Sequence, residues 1–319
     1  MEIVIEKYQS GDCESWNAFV KKVAKSHFFF QRNFMDYHED RFSDHSLVIK
    51  EDDVIIAVLP ANKKGDTLYS HQGLTFGSLL HDDIGAKKVL DCFDAIVSFS
   101  KKLGLKSIEY KAMPSILNSG ILQEDLYALQ RSGFKIFRRD ISTAVKLGVG
   151  EVILIRSLRK DKRRNYNKGQ RLKLKIRRSE EYSNYWNILE HVLSKYHDAS
   201  PTHSKEEIEL LANRFPANIQ HFEMWNDNGE ILGGAVLFIT EDVVHTQYMS
   251  VNETGRKIGA LDFLLVSLMM KYDQSHAFFS FGISTENGGE KLNEGLIFQK
   301  EGFGGLGSVH DFYKLELDA

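Results

Sequence analysis

Polar and apolar residues alternate from Glu2 to Tyr8 and then change to a helical spacing through Trp16, Phe19, Val20 and Val23, so the chain opens as a strand followed by a helix. A short helix is expected over Arg32 to His38. Strands follow at Ser46 to Lys50, Val54 to Ala61 and Leu68 to Phe76, separated by an acidic turn and by Lys63-Lys64-Gly65-Asp66, which reads as a meander. Helix returns from Ile84 to Leu103, then a strand at Ser107 to Ala112, a helix at Gln123 to Ser132 and a strand from Phe134 to Lys146.

After a basic stretch from Glu151 to Gln170, read as one bridging helix, the same order recurs. A strand is expected at Leu174 to Arg178, helices at Tyr182 to Tyr196 and Lys205 to Arg214, and a meander at Ile219 to Trp225, Ile231 to Ile239 and Val243 to Val251. Helix Ile258 to Tyr272, strand Ala277 to Ile283, helix Leu292 to Lys300 and strand Val309 to Leu315 complete it. The expected fold is α/β with mixed sheets, in two tandem halves over 1–150 and 151–319 with a cleft between them. The repeat is one of architecture, with no repeat at the residue level.

Composition narrows the function classes. A net charge of −3 excludes a global polycation, so nucleic-acid or membrane binding would have to be local. The two cysteines, Cys13 and Cys92, lie far apart and form neither a disulfide framework nor a metal-ligand spacing, which points to a reducing, cytoplasmic setting without a metal. The N-terminus lacks the basic start and apolar core of a signal peptide, and no run approaches a membrane span. Neither HExxH nor G-x-S-x-G occurs, which leaves zinc hydrolysis and serine hydrolysis without support.

The motifs point to a family. Leu158-Arg159-Lys160-Asp161-Lys162-Arg163-Arg164-Asn165-Tyr166-Asn167-Lys168 resembles the basic segment at the head of the second half of Fem-type peptidoglycan aminoacyl transferases. Leu296 to Gly305, read as Leu-Ile-Phe-Gln-Lys-Glu-Gly-Phe-Gly-Gly, is similar to that family's C-terminal FK-x-GFGG signature. Phe34 to Phe42 and Pro60-Ala61-Asn62 resemble a subgroup of GNAT-like proteins of unassigned substrate. The resemblance covers the chain as an order of elements and these stretches as motifs. It implies two GNAT-like halves and a bacterial-type N-acyltransferase. The expected reaction moves an acyl group from acetyl-CoA or another acyl-CoA to an amine of an amino sugar or cell-envelope precursor. Fem-type enzymes take an aminoacyl-tRNA instead, usually with a helical-hairpin arm that this sequence lacks, so a tRNA donor is the second reading. A non-catalytic binding protein on the same fold is the third.

In GNAT enzymes an R/Q-x-x-G-x-G/A loop holds the donor pyrophosphate on backbone N–H groups at a helix N-terminus. Here Asn252 to Leu261 sits where that loop belongs. Arg256 and Gly259 match its first two positions, with Leu261 at the third unless Ala260 takes the role. The expected donor contacts are Arg256, Lys257, Gly259 and Ala260, with Tyr248, Ser250 and Val251 from a strand that should splay from its neighbour, and Asn293. The plain alternative is a turn joining strand to helix, with Gly255 and Gly259 serving geometry.

Amide formation needs a base. His245 is the first candidate, alternating with Gln247 and Met249 along the strand that enters the loop. Glu286, at the end of the following strand, is the second, and Tyr313 on the last strand a third by analogy with the GNAT leaving-group acid. A hydrogen-bonded core histidine, a helix cap and a structural tyrosine are the competing explanations. On the acceptor side the first half offers Arg32, Asp36, Tyr37 and His71, with His38 and Gln72 nearby, against the alternative of an exposed helix end. The basic run Arg156 to Arg178 reads first as a solvated face, then as a phosphate contact, then as a tRNA stripe.

Overall fold

The structure, a computed structural model, describes residues 3–117 and 122–317. Glu2, where the first expected strand begins, lies outside them. The chain divides into two compact units: unit 1 comprises 1–141, 287–291 and 309–319, and unit 2 comprises 142–286 and 292–308. Residues 142–150 thus belong with the second unit and 309–319 with the first, unlike the division at 150 expected from the sequence.

Unit 1 begins with β1 (Ile3–Lys7), α1 (Cys13–Lys22) and α2 (Arg32–Met35). Short strands follow: β2 (Ser43–Asp44), β3 (Leu47–Glu51), β4 (Val54–Leu59), β5 (Asn62–Lys64), β6 (Thr67–Tyr69) and β7 (Leu80–His81). Then come α3 (Gly85–Lys102), β8 (Ser107–Lys111), α4 (Glu124–Arg131) and β9 (Lys135–Lys146), whose last residues, 142–146, belong to unit 2. Val89, Cys92, Phe93 and Ile96 of α3 recur at helical spacing and are buried in a core with Ile49, Leu59, Ile108, Tyr110 and Phe134.

The expected meander is interrupted. Its third strand stops at Tyr69 and pairs with β5 and, in parallel, with β8, while β7 takes the place beside β4. The cause is the turn after Tyr69. His71 adopts φ +63°, a Cβ on Gly77 would lie 2.3 Å from the Ser70 carbonyl, and one on Gly73 would lie 2.3 Å from the His38 ring. An extended strand cannot pass through those contacts.

Unit 2 holds α5 (Glu151–Ser157), α6 (Lys160–Arg171), β10 (Lys175–Ser179), α7 (Ser183–His197), α8 (Lys205–Arg214), β11 (Ile219–Trp225), β12 (Ile231–Ile239) and β13 (Val243–Val251). It continues with α9 (Glu253–Ile258), α10 (Ala260–Tyr272), β14 (Phe278–Ile283), β15 (Thr285–Glu286), β16 (Lys291–Leu292, of which Leu292 belongs to this unit), α11 (Glu294–Glu301) and the start of β17 (Leu306–Glu316). Strands β10 to β13 are antiparallel neighbours, β14 runs parallel to β13, and residues 142–146 of β9 pair antiparallel with β14. One face packs on α10, which is apolar nearly all round and buries Phe263, Leu264, Leu265, Val266, Leu268 and Met269.

The expected bridging helix is two helices. It breaks at Leu158, whose ψ of 135° is extended, and the Arg159 N–H leaves the helical pattern to donate to the Gly302 carbonyl at 2.8 Å. The helix expected from Ile258 begins at Ala260, and a short helix, Glu253–Ile258, precedes it, parted from it by Gly259 at φ +75°. Among the described residues no helix is long and apolar enough to cross a membrane.

Candidate functional site

A single extra residue organises the sheet of unit 2. Val236 pairs with Tyr248 and Leu237 with Thr246, so Gln247 is bulged out of β13. The bulge shifts the side-chain alternation by one. His245, opposite Phe238, therefore shares a face with Tyr248 and Ser250, opposite Val236 and Gly234. Met249 and Val251 turn to the other face and pack on the core. The simple alternation of His245 with Gln247 and Met249 is thus corrected, and the bulge is the reason.

β13 parts from β14 partway along its length. Pairing with β14 runs from Val243–Phe278 to His245–Ser280 and stops there, although β13 continues to Val251 and β14 to Ile283. A last contact, from the Thr246 hydroxyl to the Ser280 carbonyl, closes the paired part at 3.2 Å. Gly282, at φ +69°, turns β14 away, and a Cβ there would sit 3.2 Å from the His245 ring, so glycine both permits the turn and leaves room for the imidazole.

Lys300 reaches this opening from α11. Its side chain is 3% exposed, and its ammonium donates to the Gly282 carbonyl at 2.9 Å and the Ile283 carbonyl at 2.5 Å. Among the described residues no carboxylate pairs with it. Burial pushes its pKa down to about 8. His245, whose Nδ1 lies 3.1 Å from the Ser280 hydroxyl, is pushed down to about 4 by burial and then by the Lys300 charge. At neutral pH the pair is a neutral imidazole beside an ammonium that is close to titrating. Such an ammonium stabilises negative charge developing on a carbonyl oxygen.

The loop expected to hold a pyrophosphate satisfies part of its own backbone. The Asn252 side chain caps α9 by accepting the Gly255 N–H at 2.9 Å, while the N–H groups of Arg256, Gly259 and Asp262 donate to carbonyls within the segment. At the first turn of α10 the Asp262 carboxylate receives Lys162 at 2.8 Å and Asn165 at 2.7 Å, both from α6. A Cβ on Gly259 would lie 2.6 Å from the Asn165 amide. The positive end of α10 is therefore already facing an anion, and phosphate would meet a buried carboxylate. Arg256 is exposed and lies over the Tyr196 ring at 4.2 Å, Lys257 is exposed, and Ala260 is in the core.

The other candidates divide between the units. Tyr248 shares a hydrogen bond of 2.7 Å with His203 Nδ1 and sits edge-on to Trp186. Glu286 accepts from the Asn293 amide at 2.6 Å, and Asn293 in turn caps α11 through Leu296 N–H, so this pair ties a strand end to the helix that carries Lys300. Tyr313 belongs to unit 1, in the core with Tyr110. Arg32, Asp36, Tyr37 and His71 gather in unit 1 with His38: Arg32 pairs with Asp36 at 2.5 Å and with Asp44 and lies 3.9 Å over the Tyr8 ring, so its charge is already neutralised. Tyr37 stacks on His38 at 4.3 Å and His38 on His71 at 5.2 Å. Among the described residues His71 Nδ1 has no hydrogen-bond partner, and burial pushes its pKa down to about 3.

Cations of the basic segment have two fates. Arg159 pairs with Asp161, and Lys162 with Asp262. Lys160, Arg163, Arg164 and Arg171 make no ion pair among the described residues and, with Asp161 and Asn167, line a cavity of about 670 Å³ along one face of α6.

Lys300 was within the quoted Gln-Lys-Glu-Gly-Phe-Gly-Gly stretch, yet sequence reasoning passed over it. A buried lysine is recognisable only once its surroundings are known. Phe303, between the glycines, is 1% exposed and plugs the core, with the Lys162 ammonium 4.6 Å over its ring.

No family model matches the sequence, and no curated protein matches it. Solved structures do. FemX superposes with a TM-score of 0.71 at 12% identity over 98% of this chain and 97% of that one. L-PGS from Bacillus licheniformis gives 0.61 at 14% identity, covering 98% and 94%. A tandem GNAT protein from the clavulanic acid biosynthesis pathway gives 0.52 at 9%, covering 100% and 99%. The chain therefore has a tandem GNAT-like fold related to that of Fem-type proteins.

Proposed function

We propose that the protein is an acyl-group transferase that uses an aminoacyl ester of tRNA and delivers the aminoacyl group to an amine. The observation that carries this reading is the carboxylate in the first turn of α10: Asp262, held by Lys162 and Asn165, sets an acidic group at the helix end on which an acyl-CoA pyrophosphate would rely. The cationic cavity along α6 supports the same choice, since unpaired cations at helical spacing suit a phosphate backbone. The amine attacks the ester carbonyl, a C–N bond forms, the C–O bond to the ribose breaks, and the ribose hydroxyl leaves with a proton given up by the amine. Lys300 is placed in the role of stabilising the tetrahedral oxyanion, with His245 and the free edge of β13 flanking it. The acceptor is an amino sugar or envelope precursor.

The splayed edge of β13 favours a second reading, in which the pantetheine arm of an acyl-CoA lies there and its phosphates stay in solvent. Calorimetric titration with acetyl-CoA and free CoA, beside filter binding of a tRNA pool charged in vitro, separates the two. The aminoacyl-tRNA reading expects binding of the tRNA, weakened steeply by salt, and no saturable heat with CoA. Saturable CoA binding without tRNA binding would reverse the assignment.

A further inference from the structure

The face of the unit 2 sheet that carries His245 continues, row by row, into a buried polar region beneath α7. Glu223, Gly234 and Ser250 are directly aligned across β11, β12 and β13, and His221, Val236 and Tyr248 form the adjacent row. From α7, Tyr185 lies over this surface: its ring is 2.9 Å from where a Gly234 Cβ would be and 5.0 Å from the His221 ring, which also stacks on Tyr182 at 4.6 Å.

Among the described residues these groups are under-satisfied. Glu223 Oε1, both ring nitrogens of His221, the Ser250 and Tyr185 hydroxyls and the Trp186 indole N–H are buried without a hydrogen bond of normal geometry. Each of the three has a neighbour, Trp225 for Glu223, Tyr185 for Ser250 and the Glu181 backbone for His221, and none of these leaves Glu223 Oε1, the Ser250 hydroxyl or the His221 ring nitrogens with a hydrogen bond of normal geometry. Orphaned buried polar groups are uncommon, and this many in one interlayer calls for a missing partner. The carboxylate defines its charge. Glu223 is 5% exposed, and Arg177, its cross-strand neighbour on β10, is exposed and makes no ion pair with it among the described residues. Burial raises the Glu223 pKa, so the carboxyl favours its neutral form until a cation arrives to stabilise the charge.

We propose that Glu223, His221 and Ser250 form a subsite for a primary ammonium group, walled by the rings of Tyr182 and Tyr185. An ammonium has three N–H donors, which match one carboxylate oxygen, one imidazole nitrogen and one hydroxyl, and the aromatic walls add cation–π attraction. Tyr185, over the side-chain-free position at Gly234, is the ring that moves aside. The remaining donors, the Trp186 N–H and the Tyr185 hydroxyl, suit a carbonyl oxygen next to that ammonium. This inference rests on the transfer reading above. The ammonium belongs either to the aminoacyl group of the donor or to the acceptor amine, and the subsite lies on the same sheet face as His245 and Ser280.

The test uses full-length protein and small probes in place of either substrate. Tryptophan fluorescence is titrated with an L-amino acid methyl ester, its N-acetylated counterpart, and ethanolamine and glucosamine as acceptor-like amines, for wild type, Glu223→Gln and Trp186→Phe. The expected result is saturable quenching by an ammonium probe, reduced at least tenfold for the N-acetylated ester and for the Glu223→Gln variant, whose melting temperature verifies folding. Preference for the amino ester assigns the subsite to the donor, and preference for the amines assigns it to the acceptor. Equal binding of the acetylated ester, unchanged binding by Glu223→Gln, or no binding by any ammonium probe would overturn the subsite. None of those outcomes touches the transfer reading, which is judged on tRNA binding and on Lys300.

Discussion

Two lysines, one in each unit, look alike on local criteria. Lys111 at the end of β8 donates to the carbonyls of Gln72 at 3.0 Å and Leu74 at 2.7 Å, and Lys300 donates to those of Gly282 and Ile283. Burial pushes both to about 8. Both also lie by a parallel strand pair, β6–β8 in unit 1 and β13–β14 in unit 2. The difference is in what surrounds the carbonyls. Around Lys111 the turn is closed: Gln72 is clasped by Asn62 through bonds of 2.6 and 3.0 Å, and His38 sits against Gly73. Around Lys300 the strands part, His245 stands alongside, and the edge of β13 beyond Thr246 is left without a β14 partner. A desolvated lysine marks a reactive site only where backbone and space are left for a substrate; otherwise it is a staple.

The largest expected effect follows from that contrast. Lys300→Met should slow transfer about 10²- to 10³-fold in single turnover, as loss of an oxyanion donor does. Lys111→Met should leave the transfer rate within about threefold and instead lower the melting temperature, because two buried carbonyls lose their donor. Equal loss of rate in the two variants would erase the distinction.

Stability against pH comes next. A lysine whose folded pKa is near 8 but whose unfolded value is 10.5 binds fewer protons folded than unfolded between those values, so stability rises with pH across that window. Each lysine should contribute on the order of 1–3 kcal/mol to the rise. Urea unfolding at pH 7.5 and pH 10 should show the change in stability lowered by one share in either single variant and by both shares in the double variant. If either lysine titrates normally, its variant leaves the increment unchanged.

Gly282→Ala is a smaller perturbation. It forces φ +69° on a residue with a Cβ and sets that Cβ 3.2 Å from His245, so a cost of about 1–2 kcal/mol is expected, with a lower transfer rate. Gly65→Ala, in unit 1 at φ +58° with nothing near its Cβ, should show the strain in unfolding and no change in rate. The smallest effect is a slope. Arg164→Ala, removing one unpaired cation of the α6 cavity, should reduce the dependence of log affinity for tRNA on log salt by roughly one.

How much of this was legible beforehand differs by element. The strands Ile219–Trp225, Ile231–Ile239 and Val243–Val251 were readable to the residue because apolar runs ended at Asn, Gly and Asp turns. The bulge at Gln247 was not, since the residue carries no local signal and its position is set by pairing with β12. A splay of β13 was expected for an acyl-CoA donor, while the turn at Gly282 that parts the strands was not foreseen. The pairing of Asp262 was hidden, because Lys162 and Asn165 meet it across about a hundred residues of chain: a basic helix gives no hint of which of its cations are already paired. Glu223 was invisible for a similar reason, being one polar position in a strand whose partners lie on three other elements.

The most direct measurement is the pH dependence of single-turnover aminoacyl transfer from a charged tRNA pool to hydroxylamine, for wild type and Lys300→Arg. With the Lys300 ammonium as the oxyanion stabiliser, the wild-type rate should fall above about pH 8, and the arginine variant, if active at all, should lose that descending limb. A rate that climbs through pH 8 in wild type, or that Lys300→Arg leaves unaltered at every pH, would contradict the assignment of the transfer centre to Lys300.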